Sequence, residues 1–256
     1  MSFALRFLGV GSADAVALGS ASAVVERDGE PMLMIDCGPD ALTAHLAHYG
    51  QAPRAIYLTH AHMDHVGGLE RLFFRAYFDP ALRGKVRLYA QAALMPVLQA
   101  RVADYPEVLA EGGANFWDAF HVVPLSRGFW HERTWFDVFP TRHHAPGTSF
   151  GIALRGSVVW TGDTRPIPEM LAVHAAHGEV VAHDCILAGN PSHTGIEDVE
   201  REYPLELRRR LVLYHYGSAD EGAALVARGY RVARRDDVIL LPSAHEDVVL
   251  PDEAQH

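Results

Sequence analysis

Apolar and polar positions change period repeatedly along the first sixty residues. Residues 3–9 (FALRFLG) and 21–27 (ASAVVER) are short runs rich in apolar and β-branched side chains, and Asp28-Gly29 separates the second run from PMLMID at 31–36. Two such runs around an Asp-Gly dipeptide predict a hairpin, so the chain opens with a meander ending at Cys37-Gly38. In PDALTAHLAHY (39–49), Leu42, Leu46 and Tyr49 recur at helical spacing and Gly50 supplies a stop. AIYLT at 55–59 then reads as a buried strand.

The same alternation continues. A helix is expected from about Gly68 to Phe78, a strand at 86–90 and a helix at 92–103. Strands follow near 120–125, 135–142, 149–155 and 157–161, then a helix near 167–176 and a strand at 179–184. Helical stretches between 196 and 210, a strand at 210–216, a helix near 219–228 and a strand around 238–241 complete the order. Strands gather at the start and middle while β/α units occur in both halves. An α/β four-layer αββα sandwich accommodates this order better than one doubly wound sheet does. No linker, low-complexity stretch or repeat divides the chain, so 1–256 reads as a single domain.

Composition narrows the class. The chain has 256 residues, 49% of them apolar, with 22 Gly and 15 Pro, as expected of a folded globular protein. A net charge of −10 disfavours an extended nucleic-acid partner and favours a small-molecule substrate. Cys37 and Cys185 are the only cysteines. With no disulfide framework, no signal peptide and no apolar run long enough to span a membrane, a cytoplasmic location is the simplest expectation.

Histidine stands apart, with 16 in the chain. His60, His62, Asp64 and His65 follow the apolar strand 55–59 and precede Gly67-Gly68. Imidazoles at i and i+2 with a carboxylate and another imidazole directly after can fold around metal, and this donor set suits Zn, Fe, Mn or Co. Without a cation, such a cluster would bury several poorly paired polar groups. By contrast, His45, His48, His121, His131, His174, His177 and His256 are expected to be solvent-facing or satisfied by protein partners.

The H-x-H-x-D-H run resembles the metallo-β-lactamase superfamily. Residues 7–13 (FLGVGSA) look like its opening strand and turn, Ile35-Asp36-Cys37-Gly38 like its second signature, and Trp160-Thr161-Gly162-Asp163-Thr164 like its bridging-aspartate motif. The resemblance covers residues 5 to about 216. It implies two divalent metal ions, Zn first with Mn or Fe as alternatives. His60, His62 and a third histidine would hold the first ion. Asp64, His65 and His215 would hold the second, and Asp163 would bridge them. The third histidine is His143 or His144, with His144 preferred because the HAPGTSFG run that it opens resembles the family's pattern there. His245 is the weaker candidate for the late ligand.

Two such ions lower the pKa of a bridging water to near neutrality, so hydrolysis is the implied reaction. Val181-Ala182-His183-Asp184-Cys185 and Ser192-His193-Thr194 resemble signatures of the ribonuclease Z-like phosphodiesterase branch. By that resemblance His193 is a general acid held by Asp184, with Asp64 as a further catalytic residue. The chain lacks the Pro and Arg-Asn that tRNA-processing enzymes carry after the first turn, and it has no basic Gly/Pro-rich arm. A small phosphodiester, such as a cyclic nucleotide, is therefore the expected substrate. The alternatives are a lactone or thioester hydrolase and a non-haem iron oxidoreductase on the same site. An aromatic surplus in 69–135 (Phe73, Phe74, Tyr77, Phe78, Tyr105, Phe116, Trp117, Phe120, Phe129 and Trp130) is expected to supply core, pocket wall or a homodimer surface. Arg71 and Arg75, at i and i+4, either reach a phosphate or form a solvated helix face.

Overall fold

The N-terminal meander forms from Phe3–Gly9 (β1), Ser22–Arg27 (β2) and Glu30–Ile35 (β3), all antiparallel. Asp28 and Gly29 take φ of 52° and 85°, the positive pair that a tight hairpin turn requires. The computed structural model describes residues 1–104, 108–109 and 112–249, so Tyr105 and His256 lie outside the described residues.

After the meander come Ala55–Leu58 (β4), Val86–Gln91 (β5), the short pair Val108–Leu109 (β6) and Gly112–Gly113 (β7), and Phe120–Leu125 (β8). Strands β4, β5 and β8 extend the meander in parallel. A second sheet repeats the scheme. Gly128–His131 (β9), Thr134–Pro140 (β10), Phe150–Leu154 (β11) and Val158–Trp160 (β12) run antiparallel. Val180–Asp184 (β13), Leu211–Tyr214 (β14) and Arg231–Val232 (β15) then add in parallel. The last strand, Val238–Leu240 (β16), returns to the first sheet and pairs antiparallel with β1. Each sheet has seven strands, and helices flank the pair, which is the expected sandwich.

The helices are Ala41–Tyr49 (α1), Met63–Val66 (α2), Leu69–Tyr77 (α3), Met95–Leu98 (α4), Pro168–His174 (α5), Ile196–Glu202 (α6), Leu205–Arg208 (α7) and Ala219–Ala227 (α8). The helix expected over 92–103 is composite: a 3-10 turn at Ala92–Leu94, then α4, then a π-helical turn at Gln99–Ala103. Strand β9 was not expected, because its turn residues Glu132 and Arg133 carry φ of 45° and 63° without the Gly or Asn that normally advertises such a turn.

Large aromatics fill the space between the sheets. Phe7 of β1 packs 5.7 Å from Trp160 of β12, which stacks 4.1 Å from Tyr214 of β14. Tyr57 of β4 donates its hydroxyl to the Phe150 and Gly151 carbonyls of β11, both at 3.2 Å. Phe73 and Phe116 stack under α3. Much of the aromatic surplus is thus core, while Phe74, Phe78 and Trp130 remain exposed. Both cysteines are free thiols in the interior. Among the described residues, no helix is long and apolar enough to cross a membrane.

Candidate metal centre

The 59–68 segment leaves β4 at its C-terminal end and folds back through α2. It lies tight against the 36–38 turn: the Cys37 N–H donates to the His65 carbonyl at 2.7 Å, and the Gly68 N–H to the Cys37 carbonyl at 2.8 Å. A Cβ at Gly38 would collide with the Asp64 carbonyl oxygen, and one at Gly68 with that of Gly38, so glycine permits this close backbone approach.

At the core of the turn is Asp36, buried and at φ 60°. Its carboxylate accepts hydrogen bonds from the Thr59 N–H (2.8 Å), the Thr59 hydroxyl (2.7 Å) and His65 Nδ1–H (2.8 Å). Thr59 Oγ1 in turn accepts from His60 Nδ1–H at 3.0 Å. With Nδ1 committed on both rings, the Nε2 atoms are left to coordinate, as in carboxylate–histidine–metal relays. The sequence flagged Asp36 only as part of a motif. Its role as the group that orients two imidazoles emerges from the fold.

The second sheet contributes from the ends of its strands. Beyond β12, Asp163 places Oδ1 3.2 Å from His65 Nε2 and Oδ2 3.2 Å from His215 Nε2 and 3.7 Å from His60 Nε2. Asp64 Oδ2 lies 3.4 Å from His65 Nε2 and 3.8 Å from His215 Nε2. Beyond β10, His143 donates from Nδ1 to the Ser192 carbonyl at 2.9 Å, and its Nε2 sits 3.2 Å from His62 Nδ1 and 3.8 Å from Asp163 Oδ2.

Two clusters result, His60/His62/His143/Asp163 and Asp64/His65/Asp163/His215, with the ligand atoms of each within 4.8 Å of one another. Of the residues the sequence singled out, His60, His62, Asp64, His65, Asp163 and His215 fall in these clusters. His143, not the preferred His144, completes the first cluster. Within β10 positions 134, 136 and 138 are buried, but Val138 and Phe139 are both buried, so the alternation slips by one there, and beyond the strand 141 and 143 turn inward while His144 is exposed. His245 is exposed and bonded to Asp247. Arg71 and Arg75 are exposed outside the clusters, Arg71 donating to Thr43. None of His45, His48, His121, His131, His174 and His177 joins either cluster.

The donor set fits metal. His60 Nε2, His65 Nε2, Asp163 Oδ1 and His215 Nε2 are buried with no aligned hydrogen-bond partner, close though their neighbours are. That many orphaned atoms at one point would be costly for protein alone. The charges are arranged accordingly. Burial and the neighbouring His65 hold His60 well below its ordinary pKa, and so neutral. Burial would raise Asp163, but the charges of the neighbouring His215 and His65 imidazoles hold it well below the usual carboxylate range.

Beside the clusters, Asp184 at the end of β13 accepts from His193 Nδ1–H and from the Thr164 N–H, both at 2.8 Å, and its Oδ1 is 3.5 Å from His215 Nδ1. His193 stacks on His215 with centroids 4.7 Å apart, and its Nε2 makes no hydrogen bond among the described residues. Burial works to lower its pKa, but the Asp184 hydrogen bond and charge prevail and raise it.

A cavity of about 260 Å³ opens onto the first cluster. Its lining includes His60, His62, His143 and His144 together with Leu94, Val97 and Arg101. Among the described residues no Phe, Tyr or Trp lines it, so none of the described aromatics of 69–135 forms a wall of this cavity.

Two facing mixed sheets with paired His/Asp clusters at their strand ends define a protein of the metallo-β-lactamase fold. Solved structures agree. YhfI of Bacillus subtilis, described as a metallo-β-lactamase fold protein, is similar with a TM-score of 0.71 at 13% identity, covering 94% of this chain and 100% of that one. Human tRNase Z, short form, is similar at 0.62 and 19% identity, covering 94% and 100%. The family described as Anti-Pycsar protein Apyc1 matches residues 3–239, and the chain belongs to that family. An Anti-Pycsar protein Apyc1 from Saccharibacillus brassicae is 30% identical over 228 residues, 85% of this chain and 91% of the relative.

Proposed function

We propose that the protein is a dinuclear metal-dependent phosphodiesterase acting on a small phosphodiester, a cyclic nucleotide first among them. The observation that carries this reading is the pair of clusters sharing Asp163, with four of their buried ligand atoms orphaned, beside a proton donor held by Asp184. His60, His62, His143 and Asp163 would hold one divalent ion, and Asp64, His65, His215 and Asp163 the other. Zinc suits these ligands, as do manganese and iron. Bound ions would lower the pKa of a water and neutralise phosphate charge.

The chain's own residues do the rest. Asp64, whose side chain is 14% exposed, accepts a hydrogen bond from the attacking water. His193, fixed by Asp184, delivers a proton from Nε2 to the departing alkoxide, which a phosphodiester needs and a thioester does not. A cavity of this size admits a mononucleotide better than a nucleic-acid duplex.

The test is elemental analysis of fresh protein with a substrate panel of bis(p-nitrophenyl) phosphate, a cyclic nucleotide, a lactone and a thioester. Two equivalents of metal with phosphodiester turnover are expected. One equivalent of iron with no ester cleaved would overturn the reading, and turnover confined to lactone or thioester would replace it.

A further inference from the structure

His193 sits on a surface loop, yet its ring must be held against a buried cluster of ligands. The loop joins β13 to α6, and residues 187–191 are exposed. Apolar packing therefore does not fix the loop, and hydrogen bonds must. Asn190 closes its tip, Oδ1 accepting from the Ser192 and His193 N–H groups at 2.8 and 2.9 Å. That turn shapes the tip without tying it to the metal ligands.

The tie is made by Thr164 and Thr194, both fully buried. The Thr194 N–H and hydroxyl donate to one acceptor, the Thr164 carbonyl, at 2.9 and 2.7 Å. The Thr164 N–H donates to Asp184 Oδ2 at 2.8 Å, the oxygen that also accepts from His193 Nδ1–H at 2.8 Å. The Thr164 hydroxyl gives its proton to the Arg165 carbonyl at 2.7 Å and accepts from the Arg142 N–H at 3.0 Å. Arg142 is followed by His143, whose Nδ1–H donates to the Ser192 carbonyl at 2.9 Å. A ring thus closes from His143 to Ser192, along the chain through His193 to Thr194, across to Thr164, on to Arg142 and back to His143. The His143 and His193 imidazoles lie with centroids 5.0 Å apart.

We infer that Thr164 and Thr194 are positioning residues that tie the proton donor His193 to the metal ligand His143, so that proton delivery and metal holding at the first cluster depend on one hydrogen-bonded ring. This rests on the phosphodiesterase reading above and adds to it two residues that belong to neither cluster nor to the cavity lining. The physical case lies in the tolerance of each task. A donor must come within about 2.6–3.2 Å of the departing oxygen, and a misplacement of about 1 Å costs on the order of 10²-fold. A ligating imidazole likewise depends on the partner of its other nitrogen, which for His143 is a carbonyl of the same loop. Loosening the loop therefore harms both ends.

Thr194→Val keeps the side-chain shape and deletes the hydroxyl's bond, and Thr194→Ser restores it. Thr164→Val cuts the ring at the Arg142 N–H and takes the place of Thr194→Val if that variant does not fold. Each is compared with wild type at saturating zinc on 3′,5′-cyclic AMP, whose leaving group is an alkoxide, and on bis(p-nitrophenyl) phosphate. Expected for the Val variants is a kcat about tenfold lower on the cyclic nucleotide and within about twofold on the aryl diester, with Thr194→Ser close to wild type on both. The second readout needs no turnover. In competition with a chromogenic chelator, the Val variants should hold one of two zinc equivalents about tenfold more weakly than wild type and Thr194→Ser do. A purely structural role would lower Tm and slow both diesters alike, with chelator curves that superimpose on wild type. That result, or kcat unchanged on both diesters, overturns the inference. If wild type cleaves neither diester, the hydrolytic reading fails by itself, and the chelator curves decide the ring: superposition overturns it and a weakened equivalent supports it.

Discussion

Asp36 shows how one residue governs a site without touching its contents. It takes positive φ, a conformation that Asn and Asp tolerate best after glycine, and it fastens Thr59, His65 and, through Thr59, His60. Asp36→Asn keeps the backbone preference but removes the charge and one acceptor. Its metal affinity is expected to fall about 10–100-fold with the circular dichroism spectrum unchanged, measured by competition with a chromogenic chelator. His143 and His144 offer a second test. His143→Ala should lose metal stoichiometry while His144→Ala keeps it, and elemental analysis of both decides. A His-His dipeptide is ambiguous in sequence because either ring reaches a nearby ion. What settles it is a slip in the burial parity at Val138 and Phe139, both buried, which the alternation of β10 alone would not reveal, since that points to His144. At His193, replacement by Ala is expected to slow hydrolysis of a diester with an alkoxide leaving group about 10²-fold or more, and to spare one with p-nitrophenolate. A similar loss on both would remove the proton-donor role.

At the scale of elements, the legible parts were those with a clean period. The meander, β4 and the strands that carry Asp163, Asp184 and His215 announced themselves as apolar runs, and the metal loop as a motif. The π-helical turn at 99–103 did not, since apolar spacing predicts a helix without its local winding. Nor did β9, whose turn is built from Glu132 and Arg133, or the two-residue β15. Helix α1 carries a pH dependence separable from the metal centre. Burial lowers His45 to a pKa of about 4, and its Nδ1 donates to the Gln51 carbonyl at 3.0 Å. Its folded pKa lies below the unfolded value of about 6.5, so the unfolded chain binds the extra proton between those limits. The resulting stability is present above pH 6.5 and is lost as pH falls towards 4. His45→Gln should therefore show a shallower decline of Tm than wild type between pH 6.5 and 4, followed by scanning calorimetry. Parallel curves would mean that His45 titrates normally.

Across the whole molecule, the clusters join the two sheets. His60, His62, Asp64 and His65 follow β4 of the first sheet, while His143, Asp163 and His215 follow β10, β12 and β14 of the second. Ions held there would tie one sheet to the other, as the packing of Phe7, Trp160 and Tyr214 does from within. Ligand linkage at a thousandfold excess over Kd gives about 4 kcal/mol per ion. Stripping metal with EDTA is then expected to lower Tm by about 10 °C or more, with recovery on adding zinc. An unchanged Tm would mean that the sheets hold their alignment without ions.

The returning strand β16 gives this architecture a direction in time. Sheet one lacks its edge until residues 238–240 reach β1, the first cluster is incomplete before Asp163 exists, and the second before His215 does. A ribosome that has delivered only the first 125 residues has made the H-x-H-x-D-H run but none of its partners from the other sheet. A site with both clusters thus arrives late in synthesis, only after Asp163 and then His215 have been made.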